Sequence, residues 1–140
     1  MLPTVSDARA IAPTLRQRIE NDPWAKALGI EFLDLRRGHC KVRLQLQAHM
    51  VNFQGQPHGG VIFSLADVAF GAACNSHGRD AVALSVTINY LAPAVPDAAL
   101  VAEAREIKQG RRAGFYRLDV ATEDGRRIAS AQAVAHRRTS

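Results

Sequence analysis

Apolar and polar residues alternate in two separate segments of the chain, as they do in strands that bury one face. In CKVRLQLQ (40–47) every second residue is apolar, namely Val42, Leu44 and Leu46. In VALSVTINYLAP (82–93) two sets of residues alternate along the segment and would lie on opposite faces of a strand. One set is Val82, Leu84, Val86, Ile88 and Tyr90, and the other is Ala83, Ser85, Thr87 and Asn89. Three further strands are predicted at about 99–107, 114–121 and 127–136, because KQGRRAG and TEDGRR between them have the glycine and charge content of hairpin turns.

A different pattern occupies residues 59–77, which are rich in alanine, free of proline and followed by Gly78. Such a run predicts one long helix that ends near this glycine. The predicted order is therefore one or two strands, this helix, and then four consecutive antiparallel strands. That order is typical of an α+β fold in which one antiparallel sheet wraps around a single long central helix.

The N-terminal residues 1–22 are predicted to be a helical extension of a single domain that spans residues 1–140. Ser6 is a candidate cap for a first short segment, and a second helical segment is predicted to begin at Pro13. The sequence DPWAKALG then predicts one more helical turn, with Asp22 as its N-cap and Gly29 at its exit.

Composition narrows the class of protein. With 140 residues, 47% apolar and 22% charged, the chain has the size and balance of one globular domain. Its apolar runs are far shorter than the roughly 20 residues of a membrane-spanning helix, and its N-terminus lacks a secretory signal pattern. We therefore expect a soluble, cytoplasmic protein with no membrane partner. The 2 cysteines and 5 histidines lack disulfide or zinc-ligand spacing, so no metal site is expected.

The net charge of +5 favours anionic partners, either nucleic acid or the phosphates of a small molecule. The basic residues are scattered in short clusters, and neither a basic helix nor an aromatic RNA-binding motif accompanies them. A nucleic-acid partner is therefore not expected. Solvated strand ends and turns explain most clusters equally well.

Asp67 is the polar exception in the predicted central helix. Its face of the helix also holds Gly60, Phe63, Gly71, Cys74 and Gly78. Because the helix is apolar nearly all round, Asp67 is expected to be buried or to lie at a subunit contact. Burial would raise its pKa, as a general base or nucleophile requires. The alternatives are an Asp67 paired with an arginine or capping backbone amides, and a Gly71 that serves tight helix packing.

Gly59 and Gly60 stand at the predicted start of the helix, where the first amides have no intrahelical acceptor and the helix dipole is positive. These amides could form an oxyanion hole for a reacting carbonyl, or simply belong to an ordinary helix-entry turn. Gly59 and Asp67 are eight residues apart, which is roughly 12 Å along a helix. One helix cannot bring both to one carbonyl, so a dimer of two antiparallel helices is expected to supply two shared sites.

The motif NFQGQPHGG, the acidic residue after it and the segment VALSVTINYLAP together resemble one known family. They are similar to the hotdog-fold acyl-CoA thioesterases of the phenylacetate-degradation (PaaI) type, whose hallmark is N-x-x-G-x-x-H-G-G followed by an acid in the helix. The residues that match are Asn52, Gly55, His58, Gly59, Gly60 and Asp67. The resemblance extends over about residues 24–136 and implies a hotdog fold and usually a tetramer, a dimer of hotdog dimers.

The same resemblance implies roles for the candidate catalytic residues. The Gly59 amide would polarise the thioester carbonyl, and Asp67 of the neighbouring protomer would act as general base or nucleophile. Asn52 would hold the water or the carbonyl. Ser85 would help to place the water, or be no more than a polar residue on an exposed strand face. His58 would position the loop or the carbonyl, or be purely structural.

The implied activity is hydrolysis of an acyl-CoA, phenylacetyl-CoA or a hydroxylated derivative, without a cofactor, since coenzyme A is part of the substrate. The candidate substrate-binding residues are Gly60, Phe63, Gly71, Lys108, Arg111 and Arg112, of which the last three could contact CoA phosphates. The rivals are a hotdog hydratase or dehydratase, whose G-D-x-N-P-x-H segment is not found in this sequence, and a non-catalytic acyl-CoA binder.

Overall fold

The structure, a computed structural model, describes residues 8–138. Its helices are α1 (Pro13–Glu20), α2 (Pro23–Leu28) and α3 (Gly59–Asn75). Its strands are β1 (Glu31–Arg36), β2 (His39–Gln45), β3 (Ala81–Tyr90), β4 (Ala99–Gln109), β5 (Ala113–Thr122) and β6 (Arg127–Arg137). Two strands therefore precede the long helix and four follow it, which agrees with the prediction of one or two strands, a helix and four strands. Ser6 lies outside the described residues.

The six strands form one sheet in the order β1-β2-β4-β5-β6-β3, and every neighbouring pair is antiparallel. Helix α3 packs on one face of this sheet through Leu65, Ala69 and Phe70, which are fully buried. The Phe70 ring meets the buried Tyr116 ring edge-on, with centroids 5.5 Å apart. The predicted α+β architecture is confirmed. No helix within residues 8–138 is long and apolar enough to cross a membrane.

The predicted helix starts are confirmed because each depends on local chemistry. Helix α1 begins at Pro13, and the Asp22 carboxylate caps α2 by accepting a hydrogen bond from the Ala25 amide at 2.9 Å. Gly29 ends α2 in the left-handed region, at φ 80°. Helix α3 begins at Gly59 as predicted but ends at Asn75, two residues earlier than expected.

Side chains explain the early end of α3. The Ser76 hydroxyl donates to the Ala73 carbonyl at 2.6 Å and accepts from the Gly38 amide at 2.8 Å. The Asn75 side chain exchanges two hydrogen bonds with the backbone of Ala81. These bonds join the last turn of the helix to the β1–β2 turn and to the start of β3, so the chain leaves the helix there.

The predicted alternation of β3 is wrong in its first half. Ala83 pairs with Ala135, but Ser85 pairs with Val134, so Leu84 is an extra residue in a β-bulge. Directly paired residues share a face, and Ala135 is buried whereas Val134 is only partly buried. Before the bulge only Ala81 is buried, and Ala83 is exposed like Val82 and Leu84 on either side of it. Val82 and Leu84 are 49% and 66% exposed.

Candidate active site

The start of α3 presents one available backbone amide. His58 is the N-cap residue, and its Nδ1 accepts a hydrogen bond from the Gly60 amide at 2.9 Å. An accepting Nδ1 carries no proton, so the neutral ring has its proton on Nε2. The Gly59 amide donates to no acceptor among residues 8–138. Of the two glycine amides that the sequence indicated, Gly60 is therefore occupied and Gly59 is free to bind an oxygen.

Tyr90 holds the Gly59 backbone from the other side. Its hydroxyl donates to the Gly59 carbonyl at 3.0 Å, and a Cβ on Gly59 would lie 3.5 Å from the Tyr90 ring. Gly59 and Tyr90 line a cleft of about 280 Å³ together with Pro57, Ile62 and other residues near the helix start. The residue whose amide could bind an oxyanion is therefore also held through its carbonyl.

The loop before α3 is organised by Asn52. Its Oδ1 accepts hydrogen bonds from the backbone amides of Gln54 at 2.9 Å and Gln56 at 3.1 Å. The side-chain oxygen is thus committed to the loop, whereas the Nδ2 group makes no hydrogen bond within residues 8–138. Any contact of this side chain with a carbonyl or a water must use Nδ2. Phe53, at the tip of the loop, is 97% exposed.

Asp67 is exposed within the protomer, so its expected burial there is wrong. The reason is that α3 lies on a single sheet and buries only one face, while the Asp67 face points away from that sheet. No arginine pairs with the carboxylate and it caps no amide among the described residues, so neither alternative is found there. The expectation of a subunit contact stays a prediction.

The Asp67 carboxylate lies in a cleft of about 450 Å³ between α1, α2, β1 and α3. The cleft walls exclude part of the surrounding water, which raises the pKa of Asp67, and the negative charge of Asp22 raises it further. A carboxylate with a raised pKa is a stronger base once it is ionised. The cleft is therefore suited to proton abstraction from water, or to nucleophilic attack.

The remaining predicted residues outside the basic hairpin are Gly71, Phe63 and Ser85, and they do not lie together. Gly71 lines the same cleft as Asp67, whereas Gly59 lines the other one. Phe63 is half-buried on α3. Ser85 is exposed and pairs with Val134, on the sheet face opposite the helix, so the protomer alone does not bring it to either cleft.

The basic candidates lie together on the β4–β5 hairpin. Lys108 is near the end of β4, and Arg111 and Arg112 form the turn that follows. All three are exposed, and none makes an ion pair within residues 8–138. They are available to a phosphate, but they line neither the cleft of Gly59 nor the cleft of Asp67.

The sequence did not indicate two aromatic residues of the Asp67 cleft, Trp24 and Phe32. Trp24, on α2, donates from its indole Nε1 to the Ser64 hydroxyl on α3 at 3.1 Å. The sequence predicted the helix that carries Trp24 but held no signal for where that helix packs.

The sequence model of the thioesterase superfamily matches residues 54–129, which is more than half of the chain and includes Gly59 and Asp67. The chain belongs to the thioesterase superfamily. It is 39% identical to the acyl-coenzyme A thioesterase PaaI of Escherichia coli over 118 residues, which are 84% of each chain. This thioesterase also superimposes on the structure of that E. coli protein, from the phenylacetic acid degradation operon, with a TM-score of 0.85 and 37% identity over 89% of this chain and 91% of the other.

Two streptococcal structures are similar at a TM-score of 0.75. A hypothetical thioesterase from Streptococcus pneumoniae with coenzyme A is 29% identical, and a Streptococcus mutans protein bound to acetyl-CoA is 27% identical. Each match covers 79% of this chain and 90% of the other. With the superfamily match and the E. coli structure, the predicted PaaI-type hotdog fold and the prediction of a thioesterase enzyme are confirmed.

Proposed function

We propose that this thioesterase hydrolyses acyl-CoA at a site shared by two protomers. One observation carries the proposal: the free Gly59 amide and the Asp67 carboxylate lie in separate clefts of one protomer, although they are the two groups that thioester hydrolysis needs. They are also roughly 12 Å apart along α3. A partner whose α3 runs antiparallel would place its own Gly59 amide opposite Asp67. The relatives bound to coenzyme A and acetyl-CoA support this class of substrate.

The reaction needs no group beyond these residues and water. The carbonyl oxygen of RCO–S–CoA accepts a hydrogen bond from the Gly59 amide, and Asp67 of the other protomer takes a proton from water. The water oxygen attacks the carbonyl carbon, and negative charge builds up on the oxygen held by Gly59. The C–S bond then breaks, and the thiolate takes up a proton to give RCO2H and CoASH. In the alternative course Asp67 attacks first, and water hydrolyses the resulting anhydride.

The exposed surfaces support the dimer. Strand β3 is at the edge of the sheet and carries the exposed Val82, Leu84 and Tyr90. Unpaired edge strands with apolar side chains are templates for pairing with another chain. Pairing of β3 with the partner's β3 about a two-fold axis would continue the sheet and set the two α3 helices side by side in opposite directions. A tetramer, formed by two such dimers, is part of the same proposal.

The remaining site residues have subordinate roles in the proposal. His58 holds the helix start through Gly60, and Asn52 offers Nδ2 to the water or the carbonyl. Phe63 would contact the substrate from α3, and Ser85 could approach a site only across the subunit boundary. The free cations Lys108, Arg111 and Arg112 would contact CoA phosphates. Phenylacetyl-CoA, or a hydroxylated derivative, is the first substrate to test, because the E. coli relative comes from a phenylacetic acid degradation operon.

The direct test is thiol release from phenylacetyl-CoA, hexanoyl-CoA and acetyl-CoA by the wild-type protein and by Asp67→Asn. We expect wild-type turnover and a loss of at least about 100-fold in the variant, because its amide cannot act as a base. A folded Asp67→Asn protein with wild-type activity would overturn the mechanism. Hydration of crotonyl-CoA without thioester hydrolysis would favour a hydratase, and binding without turnover would favour an acyl-CoA binder. A single turnover in oxygen-18 water distinguishes the two courses for Asp67.

A second test addresses the shared site. Gly59→Pro removes the amide hydrogen from one part of the site, and Asp67→Asn removes the carboxylate from the other. When both variants are co-expressed, a mixed dimer has one intact site and one doubly altered site. Random pairing gives mixed dimers half of the time, so about a quarter of wild-type activity should return. Activity no higher than that of the separate variants would place both groups in one protomer.

A further inference from the structure

The Asp67 cleft has walls that the reaction described above does not use. Its apolar lining comes from Leu15, Ile19, Trp24, Phe32, Val68 and Ala72. The first four belong to α1, α2 and β1, which precede the residues matched by the superfamily model. A cleft of about 450 Å³ lies within the range of roughly 300–1,000 Å³ that small-molecule pockets occupy, so it is far larger than an acetyl group requires.

Trp24 forms a prepared wall of this cleft. Helix α2 is held at its start by the Asp22 cap and at its end by the left-handed Gly29. The Trp24 indole is then tied to α3 by its hydrogen bond to Ser64, three residues before Asp67. The ring is 56% exposed, so a large aromatic surface faces outward although its polar edge is satisfied. An indole fixed in this way offers a flat face to an apolar ligand without the need to reorder.

Gly71 keeps the other side of the cleft open. It lies one helical turn after Asp67, and a Cβ at this position would meet no atom within 4 Å. Packing within residues 8–138 therefore does not require a glycine there, and neither does the backbone, since Gly71 has no positive φ. Alanine forms helices better than glycine, so the fold alone would favour a side chain. The absence of that side chain leaves space beside the carboxylate.

We propose that this cleft binds the acyl group of the substrate, with Trp24 and Gly71 as the residues that determine which acyl groups fit. The inference rests on the thioesterase site proposed above and extends it. The acyl chain would lie on the protomer that supplies Asp67, between the indole of α2 and the open position on α3. The substrate class is an apolar acyl group larger than acetyl, with an aromatic ring favoured by the Trp24 face. The N-terminal helices are thus part of the binding site.

The test measures acyl selectivity as the ratio of kcat/KM for phenylacetyl-CoA to kcat/KM for acetyl-CoA. Gly71→Leu fills the cleft and should lower this ratio at least tenfold, and Gly71→Ala should lower it less while it raises Tm. Trp24→Ala should also lower the ratio, whereas Trp24→Phe should restore part of it. Ala27→Leu is the matched control, since Ala27 is exposed on α2 and does not line the cleft. It should leave the ratio as in the wild type.

Two results would overturn the inference without touching the proposed function. The first is a protein that hydrolyses acyl-CoA but keeps its selectivity ratio in Gly71→Leu and Trp24→Ala. The second is an equal loss for every acyl group together with a change of oligomeric mass in Gly71→Leu, which would mean that a partner subunit fills the cleft. Failure of the wild-type protein to hydrolyse any acyl-CoA would instead overturn the proposed function itself.

Discussion

Gly59→Pro isolates the backbone amide that is proposed to stabilise the oxyanion. Gly59 is the first residue of α3, a position where proline is tolerated because its missing N–H has no intrahelical acceptor. The residue before a proline must be extended, and His58 already has φ −69° and ψ 132°. The substitution should therefore remove one donor and leave the helix start in place.

The expected loss follows from the hydrogen bond that disappears. Loss of one oxyanion donor typically reduces kcat by about 10²–10³, or about 2.7–4 kcal/mol of transition-state stabilisation. Gly59→Ala is the matched control, because it keeps the amide. Its Cβ would meet the Tyr90 ring at 3.5 Å, an ordinary van der Waals contact. The alanine variant should therefore lose less than about tenfold, or about 1.4 kcal/mol.

The assay is steady-state thiol release from phenylacetyl-CoA by the wild-type, Gly59→Ala and Gly59→Pro proteins, with Tm measured for each. Equal Tm values with a large loss confined to the proline variant would support the role of the amide. If Gly59→Pro stayed folded and lost no more than Gly59→Ala, the amide would not be the oxyanion donor. The free N–H at the start of α3 would then be an ordinary feature of a helix entry.

Four further predictions concern charge and packing. Asp22→Asn keeps an N-cap for α2 but removes the negative charge near Asp67, so the pKa of Asp67 should fall. The acid limb of the kcat/KM profile should therefore move to lower pH. Asp67→Asn should raise Tm at neutral pH, because a carboxyl whose pKa is raised by folding destabilises the folded state when it is ionised. This gain in Tm should vanish below the ordinary pKa of Asp, where the carboxyl is protonated in both the folded and the unfolded protein. Tyr116→Phe should lower the free energy of unfolding in urea by about 1 kcal/mol, because it loses the hydrogen bond to Glu106 at 3.2 Å. Phe70→Ala should lower it by about 3–5 kcal/mol, because it leaves a cavity in the core.

Features that depend on neighbouring residues were predictable from the sequence. The Asp22 cap, the Gly29 exit and the start of α3 at Gly59 each involve bonds that span only a few positions, so the local residue types are sufficient to predict them. The last three strands followed from the turns between them for the same reason. Gly59 and Asp67 were singled out by the pattern of α3 itself, and the resemblance added their catalytic roles, which stay a prediction.

Features that depend on distant packing were not predictable in the same way. Leu84 continues the apolar alternation of β3, yet it is the extra residue of a bulge that only the pairing with β6 reveals. Trp24 is on a correctly predicted helix, but its place beside Asp67 depends on a hydrogen bond to a residue 40 positions away. The sequence pattern describes each element, whereas the lining of the Asp67 cleft depends on how four elements meet.

At Asp67 the burial that the apolar pattern of α3 predicts differs from the exposure found in the protomer. Helix α3 is apolar nearly all round, which is typical of a buried helix, yet Asp67 is exposed and Phe63 and Gly71 on the same face are only partly buried. Strand β3 shows the same disagreement, since its apolar Val82 and Leu84 are exposed at the sheet edge. Both would be resolved by one second copy of the chain that pairs along β3 and covers the outer face of α3. If the apolar pattern reflects burial in the proposed dimer, a folded variant that stays monomeric should lose hydrolysis.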